Sequence, residues 1–180
     1  MWDAEHKLYL YPQQPFYRPS HQILEQLLIK LQFIGKLSSV DSLKLSSKQV
    51  TTRYEVGDKF LSQLTFMGCS PDIELEPQEN KPYCYIEIEQ IETPRLISGK
   101  NLKPAKCPHC KSPITELSCE NCQKVIAPEK LNWRKTAFYA SSWISIGNIY
   151  ELEAIPNDNL LNALEENTGI KWKAAYIRHI

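Results

Sequence analysis

Two hydrophobic periods run along this chain, one of about two residues and one of about 3.6, and each marks out its own elements. Leu8-Tyr9-Leu10-Tyr11 predicts a short first strand, which Pro12 and Pro15 end because neither suits a central ladder. Ser20 then predicts a helix N-cap. Behind it Ile23, Leu24, Leu27, Leu28, Leu31 and Ile34 recur at helical spacing, with Gly35 as the stop. An apolar stripe of that width needs a sheet to lie on. Residues 36–53, rich in Ser, Thr, Lys and Gln, predict an exposed loop with a weak edge strand through Leu43, Leu45 and Val50. From Asp58 to Gly68 the spacing suits a helix or a strand, and the crowding in Leu64-Thr65-Phe66-Met67 favours a strand. Gly68-Cys69-Ser70-Pro71 reads as a turn carrying a half-buried cysteine rather than a nucleophile. Tyr83 to Glu89 alternates cleanly: Cys84, Ile86 and Ile88 face inward, and Tyr85, Glu87 and Glu89 form a solvated outer face. Aromatic and β-branched residues from Phe138 to Leu152 predict two strands with a bend at Ser141-Ser142. Pro156-Asn157-Asp158 opens a second helix along Leu160, Leu161 and Leu164, which Gly169 stops. Ile170 to Ile180 closes the chain as a strand, with Trp172, Ala174 and Tyr176 on one side.

That order of elements predicts an α+β fold: a mostly antiparallel sheet with two helices packed on one face. A ferredoxin-like strand order is one arrangement compatible with it. No internal repeat at a fixed period stands out.

The chemistry concentrates in Cys107-Pro108-His109-Cys110 and Cys119-Glu120-Asn121-Cys122, separated by eight residues. A Cys-x-x-Cys pair turns two sulfurs toward one point. Two pairs supply four thiolates, the tetrahedral soft-ligand set that suits zinc and also accommodates iron. Two disulfides would need an oxidising compartment, and a thioredoxin-like site needs only one such motif. The stretch from about 105 to 127 resembles the zinc-ribbon superfamily, which builds small metal-braced lobes and serves no single function. The resemblance implies one structural zinc per chain on Cys107, Cys110, Cys119 and Cys122, inserted between residues 1–104 and 128–180, which together form one α+β domain. His109 points outward in this reading, and Cys69 and Cys84 are not ligands.

Hydrophobic residues make up 42% of the chain, enough for a real core, and the formal net charge is zero with a pI near 6.9. That balance argues against a surface coated in positive charge for non-specific nucleic-acid binding. The N-terminus shows no secretory pattern and no run approaches membrane-spanning length, which predicts a cytoplasmic protein. Charge is nevertheless segregated. Residues 72–92 hold seven carboxylates against Lys81, whereas residues 95–135 hold nine cations against three glutamates. Lys100, Lys103, Lys106, Lys111 and Lys124 flank the cysteine pairs and predict a basic face. Such a face suits nucleic acid, a nucleoprotein or an acidic protein, with Trp133, Phe138 or Tyr139 stacking on bases if exposed. The resulting expectation is a binding or adaptor protein. The alternative is a small cytoplasmic enzyme with a purely structural zinc and a pocket on the α+β domain. Four thiolates leave no open coordination position, and no catalytic motif or catalytic residue stands out.

Overall fold

The computed structural model describes residues 4–38, 49–68 and 73–180, so the positions of Leu43, Leu45 and Cys69 lie outside the described residues. The elements in chain order are β1 (His6–Pro12), α1 (His21–Lys30), β2 (Ile34–Leu37), β3 (Gln49–Val56), β4 (Leu64–Phe66) and β5 (Tyr85–Ser98). There follow β6 (Ala105–Lys106), β7 (Pro113–Ile114), β8 (Ala137–Gly147), β9 (Ala154–Pro156), α2 (Asp158–Thr168) and β10 (Trp172–Arg178). Six strands form one sheet in the order β10-β1-β8-β5-β3-β2, antiparallel at every pairing. The fold is α+β, and its six strands exceed a ferredoxin-like set. No helix among the described residues is long and apolar enough to cross a membrane.

Both helices lie on one face of the sheet. Leu24, Leu27 and Leu28 of α1 and Leu160 and Leu164 of α2 pack on Leu8, Leu10, Ile86, Ile88, Ile144, Ile146, Trp172 and Tyr176. The Ser20 side chain accepts from the Ile23 N–H and that of Asn157 from the Leu160 N–H, so both predicted N-caps form. Gly169 ends α2 in the left-handed region at φ 72°. The first helix stops earlier than its apolar spacing predicts. Gln32 adopts φ 53°, its N–H donates to the Ile29 carbonyl, and the Phe33 N–H reaches back to Leu28. This paired closure ends α1 at Lys30, and Ile34 and Gly35 begin β2 instead of finishing the helix.

The expected bend at Ser141-Ser142 falls on the opposite strand. β8 runs unbroken for 11 residues, while the register of β5 slips between Gln90 and Arg95. Pro94 lies in that slip and has no N–H for the ladder, and the Ser141 N–H turns away to the Pro15 carbonyl. Beyond the slip the β5–β8 ladder folds back over the second face of the sheet. Phe138 stacks on Tyr11 with ring centroids 4.5 Å apart, and a second core of Tyr9, Ile91, Ala140, Trp143, Ala175 and Ile177 closes around it. The fold-back is tied to the outer margin of β10, where the Lys100 N–H bonds the Arg178 carbonyl and the Tyr176 N–H bonds the Lys135 carbonyl. Gly99 permits this approach, because a Cβ there would lie 2.0 Å from the Arg178 oxygen.

Candidate metal centre

The two Cys-x-x-Cys turns are built alike. In the first, the Cys107 N–H donates to the Ser112 carbonyl, and the Lys111 N–H donates back to Cys107, both at 2.9 Å. In the second, the Cys119 N–H donates to Lys124 at 2.9 Å and the Gln123 N–H to Cys119 at 2.8 Å. The residue after each second cysteine is left-handed, Lys111 at φ 65° and Gln123 at φ 59°. Each turn is clamped at its base, by the β6–β7 pairing of Lys106 with Pro113 and by the bridge of Ser118 with Val125. Every one of these correspondences is twelve residues apart, as are the cysteines themselves, 107 with 119 and 110 with 122, so the backbone repeats the spacing of the two Cys-x-x-Cys pairs.

Symmetry of the turns brings the sulfurs together. Cys107 and Cys122 lie 3.7 Å apart at Sγ, Cys110 and Cys119 lie 3.5 Å apart, and all four fall within 4.8 Å of one another. A tetrahedron of sulfurs at about 2.3 Å from zinc has edges of about 3.8 Å, so the donor set and its spacing fit an ion held by four thiolates. Backbone N–H groups of Cys110 and His109 point at the Cys107 sulfur and hold its pKa below the ordinary thiol range. Asn121 and Ser112 do the same for Cys110, bringing it to about 5. Burial, followed by the neighbouring sulfurs, pushes Cys122 up to about 11. His109 is exposed, as expected of a non-ligand. Cys84 is buried one residue before β5, where its N–H bonds the Glu74 carbonyl.

The cluster around the cysteines does not end with them. Ala105, Ile114 and Ile126 pack with Leu131 and Trp133 and then with Leu96 of β5 and Ala137 of β8. The Lys103 N–H adds a bond to the Thr136 hydroxyl, whose own proton goes to the Trp133 carbonyl. Trp133 and Phe138 are therefore core residues, 5% and 1% exposed, and cannot stack on a base; the expected aromatic contacts reduce to the half-buried Tyr139. All five flanking lysines are exposed. Lys103 pairs with Glu151 at 3.2 Å, while Lys100, Lys106, Lys111 and Lys124 have no carboxylate partner among the described residues.

The predicted solvated face of β5 is overturned. Tyr85 and Glu87 are buried, Glu87 at 4% exposure, under the fold-back side of the sheet. One Glu87 oxygen receives both the Nε and a terminal nitrogen of Arg53, at 2.9 and 2.7 Å, and the other receives Lys7 Nζ at 2.9 Å. Arg53 also stacks 3.9 Å over the Tyr85 ring. Trp143 donates its indole N–H to Glu89 at 2.6 Å, and the Ser145 hydroxyl reaches Glu87 and Glu89 at 3.3 Å. Burial, then the Glu87 charge, raises the Glu89 pKa. Burial opposes the Lys7 charge, but Glu87 and its neighbours outweigh that and hold the ammonium above its usual range. Residues 7, 53, 87 and 89 come from three strands, and the one local sequence signal is Arg53, which interrupts the β-branched run Val50-Thr51-Thr52.

Comparison with protein-family models, with curated proteins and with solved structures finds no match to the chain.

Proposed function

We propose that this protein is a zinc-braced binding module. One structural zinc on Cys107, Cys110, Cys119 and Cys122 fixes a ribbon of residues 105–127, inserted in an α+β domain formed by 1–104 and 128–180. The observation that carries the reading is the pair of equivalent turns converging four sulfurs within 4.8 Å. Four thiolates close the coordination shell, so the metal orders the ribbon and offers substrate no position. The ribbon then presents its lysines to an anionic partner in the cytoplasm. Burial of Trp133 and Phe138 favours an acidic protein surface over nucleic acid, because stacking platforms are missing where lysines are offered. Exposed Val125, beside Lys124 on the second turn, adds an apolar contact of the kind protein interfaces use.

Charge reversal tests this. Wild type and a Lys103→Glu, Lys106→Glu, Lys111→Glu variant are compared for zinc content, for co-purifying proteins, and for affinity to RNA, single-stranded DNA and duplex DNA. The expected result is one zinc in each, partners lost only from the variant, and no nucleic-acid affinity at about 50 mM salt that the three substitutions remove. Salt-steep binding to any of the three nucleic acids that the variant loses would move the reading to nucleic acid. Identical partners on both proteins would overturn the ribbon face altogether.

A further inference from the structure

A cleft opens beside the segment that leads from the cysteine turns back into β8. Its deeper part, about 680 Å³, lies between the segment 128–139 and the adjoining ends of β1, β9 and β10. Three cations line this part, Lys130, Lys135 and Lys173, against the single carboxylate of Glu129. All three lysines are exposed, and none has a carboxylate partner among the described residues. The remaining wall is apolar and aromatic, with Tyr11 and Tyr139 among it, and Pro15, Pro128 and Pro156 stiffen the rim.

The backbone that delivers Lys135 is itself unusual. Arg134 and Lys135 are both left-handed, at φ 52° and 62°, in succession and without a glycine. Such conformations persist where surrounding bonds over-determine them, and they cluster at ligand sites. Here the Lys135 carbonyl is anchored by the Tyr176 N–H at 2.7 Å. Trp133, in the same wall, keeps a buried indole N–H with no acceptor among the described residues. Gln13, Pro15, Pro128 and Glu129 continue into a second hollow of about 790 Å³, where the Phe16 ring stands 80% exposed. One end of the groove thus concentrates positive charge and the other offers a bare aromatic ring.

We propose that this cleft binds a nucleotide, with its phosphate among Lys130, Lys135 and Lys173 and its base toward Phe16. An anionic group alone would need no apolar length, and an apolar ligand alone would leave three cations uncompensated; a phosphorylated planar ring answers both. Each hollow by itself falls within the range of small-ligand sites, about 300–1,000 Å³. The same chemistry is offered by a free nucleotide and by a terminal nucleotide of an RNA strand. This site is independent of the ribbon lysines assigned above.

Calorimetric titration of the zinc-loaded full chain with adenosine 5′-monophosphate, guanosine 5′-monophosphate, adenosine and an octa-adenylate tests it. Expected are saturable binding of at least one monophosphate or of the octamer, at least tenfold weaker binding of adenosine, and at least a tenfold loss in both Lys135→Glu and Lys173→Glu. A Lys106→Glu, Lys111→Glu protein should bind as wild type does, which separates this site from the ribbon face. Monophosphate affinity equal to that of the octamer identifies a free nucleotide; an octamer more than tenfold tighter identifies a strand end. Absence of binding by both monophosphates and the octamer, or binding unchanged in the two cleft variants, overturns the proposal. Because Lys173 is an exposed residue of β10 and Lys135 carries its strain in the backbone, Lys135→Gln and Lys173→Gln, with unfolding midpoints near wild type, provide folded controls that should show an intermediate loss.

Discussion

Two polar clusters in this molecule are assembled from opposite distances along the chain. The ribbon draws its paired sulfurs from partners 15 and 9 residues apart, whereas Glu87 gathers Lys7 from 80 residues away and Arg53 from 34. The first cluster can form from a short peptide once a metal supplies the attraction, with little help from the rest of the fold. The second exists only when β1, β3, β5 and β8 are already in register, so it reports on the whole sheet. Its charges cost heavily to desolvate, and what justifies them is mutual neutralisation in one fixed geometry. Local metal order and global electrostatic order should therefore fail separately.

The largest separation is expected on removing the metal. Chelation, or Cys110→Ser with Cys122→Ser, should abolish hydrogen-exchange protection across 105–126 while β1, β5 and β8 keep theirs. Loss of protection in those three strands at the same step would show that the two clusters are not separable. Next in size, Glu87→Gln leaves Lys7 and Arg53 buried against a neutral amide. It should cost about 3–5 kcal/mol in denaturant unfolding while the zinc content stays at wild type.

Glu89 sharpens the contrast within its own cluster. Its pKa is raised in the folded state, so the folded protein binds a proton that the unfolded chain has lost, and stability declines as pH rises past about 4.3. Glu89→Gln retains an acceptor for the Trp143 indole and should be more stable than wild type at neutral pH, by a gap that closes below about pH 4. A variant less stable than wild type at pH 7 would show that the ionised carboxylate is needed. Lys7 behaves in the same sense at the alkaline end. Its folded pKa lies above the unfolded value, so its contribution is complete at neutral pH and declines only above about pH 10.4. Smallest of all, Lys111→Gly and Gln123→Gly each replace a left-handed residue by the one with no penalty there. Each should tighten metal retention against a competing chelator by a factor equivalent to at most about 1 kcal/mol, and by similar amounts, because the two turns are equivalent.

Much of this architecture was legible beforehand because it rests on short-range rules. The caps at Ser20 and Asn157, the stop at Gly169, the strand at Leu64–Phe66 and the facing of Trp172 and Tyr176 each depend on a few neighbouring residues. Misreadings arose where a distant element intervened. Period two on β5 placed Glu87 on the face opposite Ile86 and Ile88, where it lies, but whether that face is covered depends on a ladder that folds back more than forty residues later. Helical spacing carried through Leu31 to Ile34 because both a helix and the following strand bury apolar residues, and only the left-handed Gln32 divides them. The cysteines were legible through their spacing, whereas the cleft lysines, from positions 130, 135 and 173, share no local pattern at all.

The fold-back also decides what can be added to the sheet. An outer strand with unpaired N–H and C=O groups is a template on which another chain can grow, and folded proteins suppress it. On β10 the outward groups of Tyr176 and Arg178 are taken by Lys135, Asn101 and Lys100, so the C-terminal part of that margin is closed to a visiting strand. At the opposite margin β2 is only four residues long, its pairing with β3 slips between Ile34 and Leu37, and Lys36 stands exposed upon it. The segments that lead into and out of residues 105–127 are thus also an end stop of the sheet, and they leave a second copy of this chain less of the longer margin on which to pair.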